Sequence, residues 1–240
     1  MKKIFTSIVA AGFVAALQVA SAGDISGTVI LKGTPPPETQ IPQLKDDPIC
    51  NKLHTGPAQT HFYVVGPKAE LADVFVTLKG MDGKSTGAAA APAVIDQRGC
   101  EYVPYVLAIQ TNQKLLVKNS DPVLHNVHST PMSTGNKEQD KAQMPGGPDL
   151  EFTFPGSEVF LRFNCAVHPW MFAYVCVVDH PYFAVSDKEG KYTIKNVPDG
   201  KYTLEAYHRK AAPPSAPVTR KIEVKGGNVT ADFMLEAKAK

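Results

Sequence analysis

The chain has 240 residues and a formal charge of +2, which allows one large domain or two small ones. Without Lys2 and Lys3 the acidic and basic residues balance, and no block of like charge or basic stripe appears. That balance gives no support to nucleic acid or an anionic membrane surface as a partner.

Residues 1–22 read as a secretory signal peptide. Lys2 and Lys3 precede an apolar run from Ile8 to Leu17, and Ala20-Ser21-Ala22 closes it in A-x-A form. The apolar run is too short for a stable membrane span. The mature protein is therefore expected to be exported, periplasmic or beyond, with no membrane span.

The remainder reads as all-β, with short alternating segments set off by Gly, Pro, Asn and Asp. "DISGTVILKG" (24–33) alternates up to Gly33. "TPPPETQIPQLKDDP" (34–48) is expected to be irregular. "ADVFVTLKG" (72–80) places Val74, Val76 and Leu78 on one face. "GKSTGAAAAPA" (83–93) reads as a linker or surface loop. "VLAIQTNQKLLVKN" (106–119) and "LEFTFPGSEVFLRFNC" (150–165) each hold two strands. "GNKEQDKAQMPGG" (135–147) reads as a short helix or a mobile loop. "MFAYVCVVD" (171–179) is a strand. "GKYTIKNVPDGKYTLEAYH" (190–208) and "TRKIEVKGGNVTADFML" (219–235) are predicted hairpins, with Asp199-Gly200 and Gly226-Gly227-Asn228 at their turns.

The chemistry concentrates in "NCAVHPWM" (164–171). Cys165, His168 and Met171 are all soft-metal donors. A trigonal site of two imidazoles and one thiolate, with a distant axial thioether, is the type 1 copper arrangement. One tight loop between two strands supplies three of those four groups when cysteine ends the first strand and methionine begins the second. The missing imidazole points to "KNSDPVLHNVHS" (118–129), which holds His125 and His128. Alternation along an extended chain directs these two to opposite faces, so both are not expected on one metal.

If Cys165 is a thiolate ligand, Cys50 and Cys100 become the expected disulfide of an exported protein, and Cys176 a buried, inert thiol. Metal binding by Cys50 and His54 in "CNKLH" is the less favoured reading. His61, His180 and His208 stand isolated, with surface or packing roles. No nucleophile elbow, zinc-protease motif or phosphate loop occurs.

The stretch from about 100 to 179 resembles the cupredoxins. "CAVHPWM" is similar to the amicyanin loop in its C-x-x-H-P-aromatic-M form, and "NSDPVLHNV" resembles the cupredoxin segment that carries the first histidine. The resemblance implies His125, Cys165, His168 and Met171 as ligands of one type 1 copper, and Asn126 as the residue tying the histidine segment to the cysteine loop. "GDISGTVILKG", "AELADVFVTLKG" and "VSDKEGKYTIKNVPDGKYTLEAYH" resemble carboxypeptidase regulatory-like, or transthyretin-like, domains. The expected architecture is a cupredoxin Greek-key β-sandwich (94–183) combined with a discontinuous transthyretin-like β-sandwich (23–80 and 184–236). The whole chain resembles exported bacterial proteins labelled methylamine-utilisation proteins, a label that does not itself show a role in methylamine oxidation.

The function implied is single-electron transfer between periplasmic redox partners, such as c-type cytochromes or a dehydrogenase, without enzymatic turnover. Electrons would pass through the His168 edge. Pro169 and Trp170 would form the docking patch, although Trp170 also reads as packing across the loop. Two alternatives stand beside this: a periplasmic copper carrier or sensor, and a surface-interaction module with a structural copper site. A copper oxidase or nitrite reductase is least favoured, because such enzymes need further copper ligands.

Overall fold

A computed structural model describes residues 21–211 and 216–238. Residues 1–20 of the expected signal peptide lie outside the described residues. The strands in chain order are β1 (Ala22–Lys32), β2 (Phe75–Leu78), β3 (Ala93–Gln97), β4 (Tyr102–Val103), β5 (Val106–Gln110), β6 (Leu115–Asn119), β7 (His125–Thr130), β8 (Gln139–Gln143), β9 (Leu150–Phe152), β10 (Glu158–Asn164), β11 (Phe172–Val178), β12 (Phe183–Val185), β13 (Lys191–Pro198), β14 (Gly200–Tyr207), β15 (Val218–Val224), β16 (Val229–Thr230) and β17 (Phe233–Glu236). Two short helices, α1 (Pro42–Asp46) and α2 (Cys50–Leu53), lie between β1 and β2. The chain is all-β, as its alternation predicts. No helix among the described residues is long and apolar enough to cross a membrane.

The strands form four sheets. One joins β13, β1 and β16, with β17 also on β1; the second runs β12-β2-β14-β15. Ile25, Val29 and Leu31 of β1 meet Val76 and Leu78 of β2 in a shared core. The third sheet runs β5-β11-β10-β7-β8 and the fourth β4-β3-β6-β9. Their core holds Ile95, Val117, Phe152, Phe163 and Val175. A smaller apolar layer of Phe75, Cys176 and Val178 connects β2 with β11. Six of the seven residues of β11 are buried, because both faces of this strand are covered. Ala173, Val175 and Val177 face one core, and Cys176 and Val178 face the other layer. Burial pushes the Cys176 thiol up to about 12, so it packs as an inert small hydrophobe.

Neither predicted hairpin forms. β13 pairs with β1, whereas β14 pairs with β2 and β15. The turn at Asp199-Gly200 is a corner between sheets. Ile194 and Val197 approach the core from one sheet, and Leu204 and Ala206 from the other. Likewise β15 leaves β14, and the chain then runs parallel to β1 as β16 and β17. A Cβ on Gly27 would lie 2.0 Å from the Ala231 carbonyl oxygen, so this parallel approach requires glycine there.

Residues 135–147 are neither helix nor mobile loop, because β8 forms an edge strand against β7. Its polar character suits an edge, where unpaired backbone faces solvent. Residues 34–48 are not wholly irregular either. Pro42 opens α1, a position that needs no backbone N–H.

His208 packs beside Tyr63, with ring centroids 5.2 Å apart. Its Nδ1 accepts the Ala211 amide at 3.0 Å and the Lys210 amide at 3.3 Å, which leaves no room for a proton on that nitrogen. Burial lowers its pKa from 6.5 to about 4. Above pH 6.5 the folded and unfolded forms are both neutral. As pH falls toward 4, the unfolded chain takes up a proton that the folded chain refuses, so stability falls. Urea unfolding of wild type and His208→Gln between pH 7 and pH 4 should show wild type losing about 3 kcal/mol relative to the variant. Parallel pH profiles would contradict the assignment.

Candidate metal centre

Three potential ligand side chains converge at one end of the third sheet. His125 opens β7, Cys165 directly follows β10, and His168 lies in the loop before β11. The register between β10 and β11 pairs Asn164 with Phe172, so residues 165–171 must close a tight loop. The Cys165 amide donates to the Met171 carbonyl at 3.1 Å, and the Met171 amide to the His168 carbonyl at 2.9 Å. The side chains of Cys165 and Met171 are buried in the adjacent core.

The ligand atoms of His125, Cys165 and His168 lie within 4.8 Å of one another. The Nδ1 atoms of the two histidines are 3.0 Å apart, and Cys165 Sγ is 3.7 Å from His168 Nδ1. With metal–nitrogen bonds of about 2.0 Å and metal–sulfur bonds of about 2.3 Å, donors in a trigonal plane sit roughly 3.5 Å (N to N) and 3.7 Å (N to S) apart. The nitrogen–sulfur spacing matches one small ion, whereas the two nitrogens stand closer together than such an ion requires and would part on binding. His128 is not part of this group. Its Nε2 pairs with Glu138 at 2.6 Å on the other side of β7, as alternation requires.

Asp121 orients His125. Its Oδ2 lies 2.9 Å from His125 Nε2 and accepts the Cys100 amide at 2.8 Å, while Oδ1 accepts the Gly99 amide at 2.7 Å. A carboxylate at Nε2 keeps the proton on that nitrogen and leaves the Nδ1 lone pair directed at His168. Burial raises the Asp121 pKa, but His125 and the two amides outweigh it and hold the carboxyl below its usual range. Burial opposes charge on His125, yet Asp121 and Cys165 raise its pKa on balance. Burial also pushes the Cys165 thiol up. The neighbouring His125 and His168 rings and the Asn126 amide reverse this and bring it to about 6, which favours the thiolate that metals bind.

Asn126 links the two segments. Its amide donates to Cys165 Sγ at 3.3 Å, and its Oδ1 accepts the Ala166 amide at 3.1 Å. Cys50 and Cys100 form a disulfide whose sulfurs lie within 4.8 Å of a His168 ring nitrogen. Bonded to each other, they are not thiolate donors. Trp170 is half-buried. Its indole donates to the Cys100 carbonyl at 3.2 Å, and its ring centroid is 5.2 Å from that of His168. Ala166, Val167 and Pro169 are the exposed residues of the loop. Sequence reasoning passed over Asp121. It stands in "NSDPVLHNV", but no periodicity brings it to His125, because a turn rather than a regular element joins them.

No protein-family model matches the chain, and no curated protein matches it. Among solved structures, the chain is similar to a purple cupredoxin from Nitrosopumilus maritimus at 24% identity, covering 35% of this chain and 98% of that one with a TM-score of 0.30. It is similar to a mutant of amicyanin in the Cu(I) form at 19% identity, covering 42% and 97% with a TM-score of 0.32. A copper-containing nitrite reductase from Thermus scotoductus SA-01 is 14% identical over 62% of this chain and 28% of its own, with a TM-score of 0.33.

Replacing the orienting carboxylate tests the arrangement. Asp121→Asn should weaken binding of a divalent metal by roughly 10- to 100-fold, the usual cost of losing such a partner, while the β-rich circular dichroism spectrum persists. Competition against a chromophoric chelator measures this, and an unchanged affinity would show that Asp121 does not orient His125.

Proposed function

We propose that this chain is an exported type 1 copper protein that carries single electrons between other redox proteins. The observation that carries this reading is the buried convergence of His125 Nδ1, His168 Nδ1 and Cys165 Sγ. Two imidazoles with one thiolate are the donor set of blue-copper electron-transfer sites, and Met171, at the end of the same loop, is the candidate weak axial ligand. When bound, copper supplies a one-electron couple.

The protein's own residues hold the site in one geometry. Asp121 fixes the His125 ring, the Asn126 amide hydrogen-bonds the sulfur, and the Cys165–Met171 backbone bond closes the loop. Burial of His125 and Cys165 keeps water away from the donors. A donor set that cannot rearrange suits electron transfer, because little reorganisation accompanies each change of charge. His168 is the ligand nearest the surface, 6% exposed beside Val167 at 48%. Val167 and Pro169 thus offer a small apolar contact patch, with Trp170 behind it. Partners of this kind, such as c-type cytochromes or a periplasmic dehydrogenase, make small and transient interfaces. The chain acts in this reading as a carrier rather than an enzyme, in the compartment to which the signal-like residues 1–22 direct it.

The optical spectrum of purified protein loaded with Cu(II) tests the reading. An intense visible thiolate-to-copper band is expected in wild type and should vanish in Cys165→Ser. Absence of the band from wild type, or its persistence in the variant, would sink the copper assignment. A reversible potential with fast self-exchange is further expected of an electron carrier.

A further inference from the structure

A cavity of about 520 Å³ lies beside the candidate metal centre, on the side of Met171 and Phe172. This volume falls within the range of small-molecule sites. Its walls are mostly apolar and aromatic, with polar side chains such as His61, Asp73, Glu101 and Lys188 among them. His54 Nδ1 and the Tyr105 hydroxyl are buried and meet no hydrogen-bond partner among the described residues. The His54 side chain is only 6% exposed.

His54 Nε2 lies 3.3 Å from the Pro57 carbonyl oxygen. A carbonyl only accepts, so the proton sits on Nε2 and Nδ1 presents a lone pair. Glu101 Oε2 is 3.8 Å from that lone pair, so two acceptors face each other across a gap. A buried polar atom without a partner is costly, and one O–H placed in the gap either bonds one of these acceptors or is shared between the two. The other Glu101 oxygen is engaged by His61 Nε2 at 3.0 Å, so the carboxylate already has a partner for its charge. Burial also raises the Asp73 carboxyl on the same wall to about 6. A neutral O–H donor therefore suits the gap better than an ammonium group.

We propose that this cavity binds a small hydroxylated aromatic molecule of the phenol class. Its hydroxyl donates into the gap between His54 Nδ1 and Glu101 Oε2, and its ring packs against Trp170 and Phe172. Aromatic walls favour an aromatic guest through offset and edge contacts as well as buried area. The Tyr105 hydroxyl offers a second polar contact. Met171 lines the cavity, but the hydrogen-bonding pair His54 and Glu101 lies outside the donor cluster.

Trp170 is the only tryptophan in the chain, so its fluorescence reports occupancy. Metal-free protein titrated with 4-methylphenol should show a saturable change, with toluene binding at least about tenfold more weakly for want of the hydrogen bond. His54→Phe should bring the phenol close to toluene. Glu101→Gln, at a position partly open to solvent, should weaken the phenol several-fold. No saturable change with the phenol, equal binding of phenol and toluene by wild type, or unaltered phenol binding in both variants would overturn the proposal. The wild-type comparison decides even if His54→Phe fails to fold. Because the protein is metal-free, a negative result here leaves the copper reading intact, and a missing copper band leaves this site intact.

Discussion

Asp121 is 4% exposed and accepts from two consecutive backbone amides and a histidine ring. A carboxylate that deep is costly unless donors surround it, and here they do. The backbone has to turn sharply to offer them. Gly99 and Cys100 both have positive φ, at 68° and 57°, which points successive N–H groups at one anion. Cys100 is in turn anchored through the disulfide to α2, and its carbonyl takes the Trp170 indole. One buried charge thus joins the disulfide, the cysteine loop and His125. The direction of His125 Nδ1 follows from that network rather than from β7 alone.

The other determinant is the pairing of β10 with β11. Their register leaves seven residues to turn the corner between them, and those residues include Cys165, His168 and Met171. The pair lies in the middle of the third sheet, flanked by β7 on one side and β5 on the other. β11 is also covered on both faces. A loop carried on such strands moves little, because any shift in the strands would open well-packed cores. The stiffness that the proposed electron transfer needs is therefore a property of the sandwich as a whole. The apolar layer of Phe75, Cys176 and Val178 joins β11 in turn to the second sheet.

Much of this was legible in the residues. Period-two alternation gives the strands, and the spacing of Cys165, His168 and Met171 between two of them suggests the loop. The faces of His125 and His128 also follow from alternation, because direction along a strand is a local property. Pairing is not local. β13 and β14 look like a hairpin in sequence, with a good turn between them, yet they serve opposite sheets of one core. Turn chemistry states only that the chain reverses, not which neighbour it then meets. β8 is polar because it lies at an edge, and polarity alone does not separate an edge strand from a loop.

The amino-acid sequence by itself determined the all-β character, the donor types, and the strand–loop–strand setting of the cysteine loop. Each depends on near-neighbour spacing and side-chain chemistry. Only the tertiary structure decided that Asp121 holds His125, that the Cys50–Cys100 disulfide lies against His168, and that His54 and Glu101 face each other across a cavity beside Trp170. These groups lie tens of residues apart or are joined by irregular turns. Their meeting depends on how sheets stack and how buried charges find donors, which no local pattern encodes.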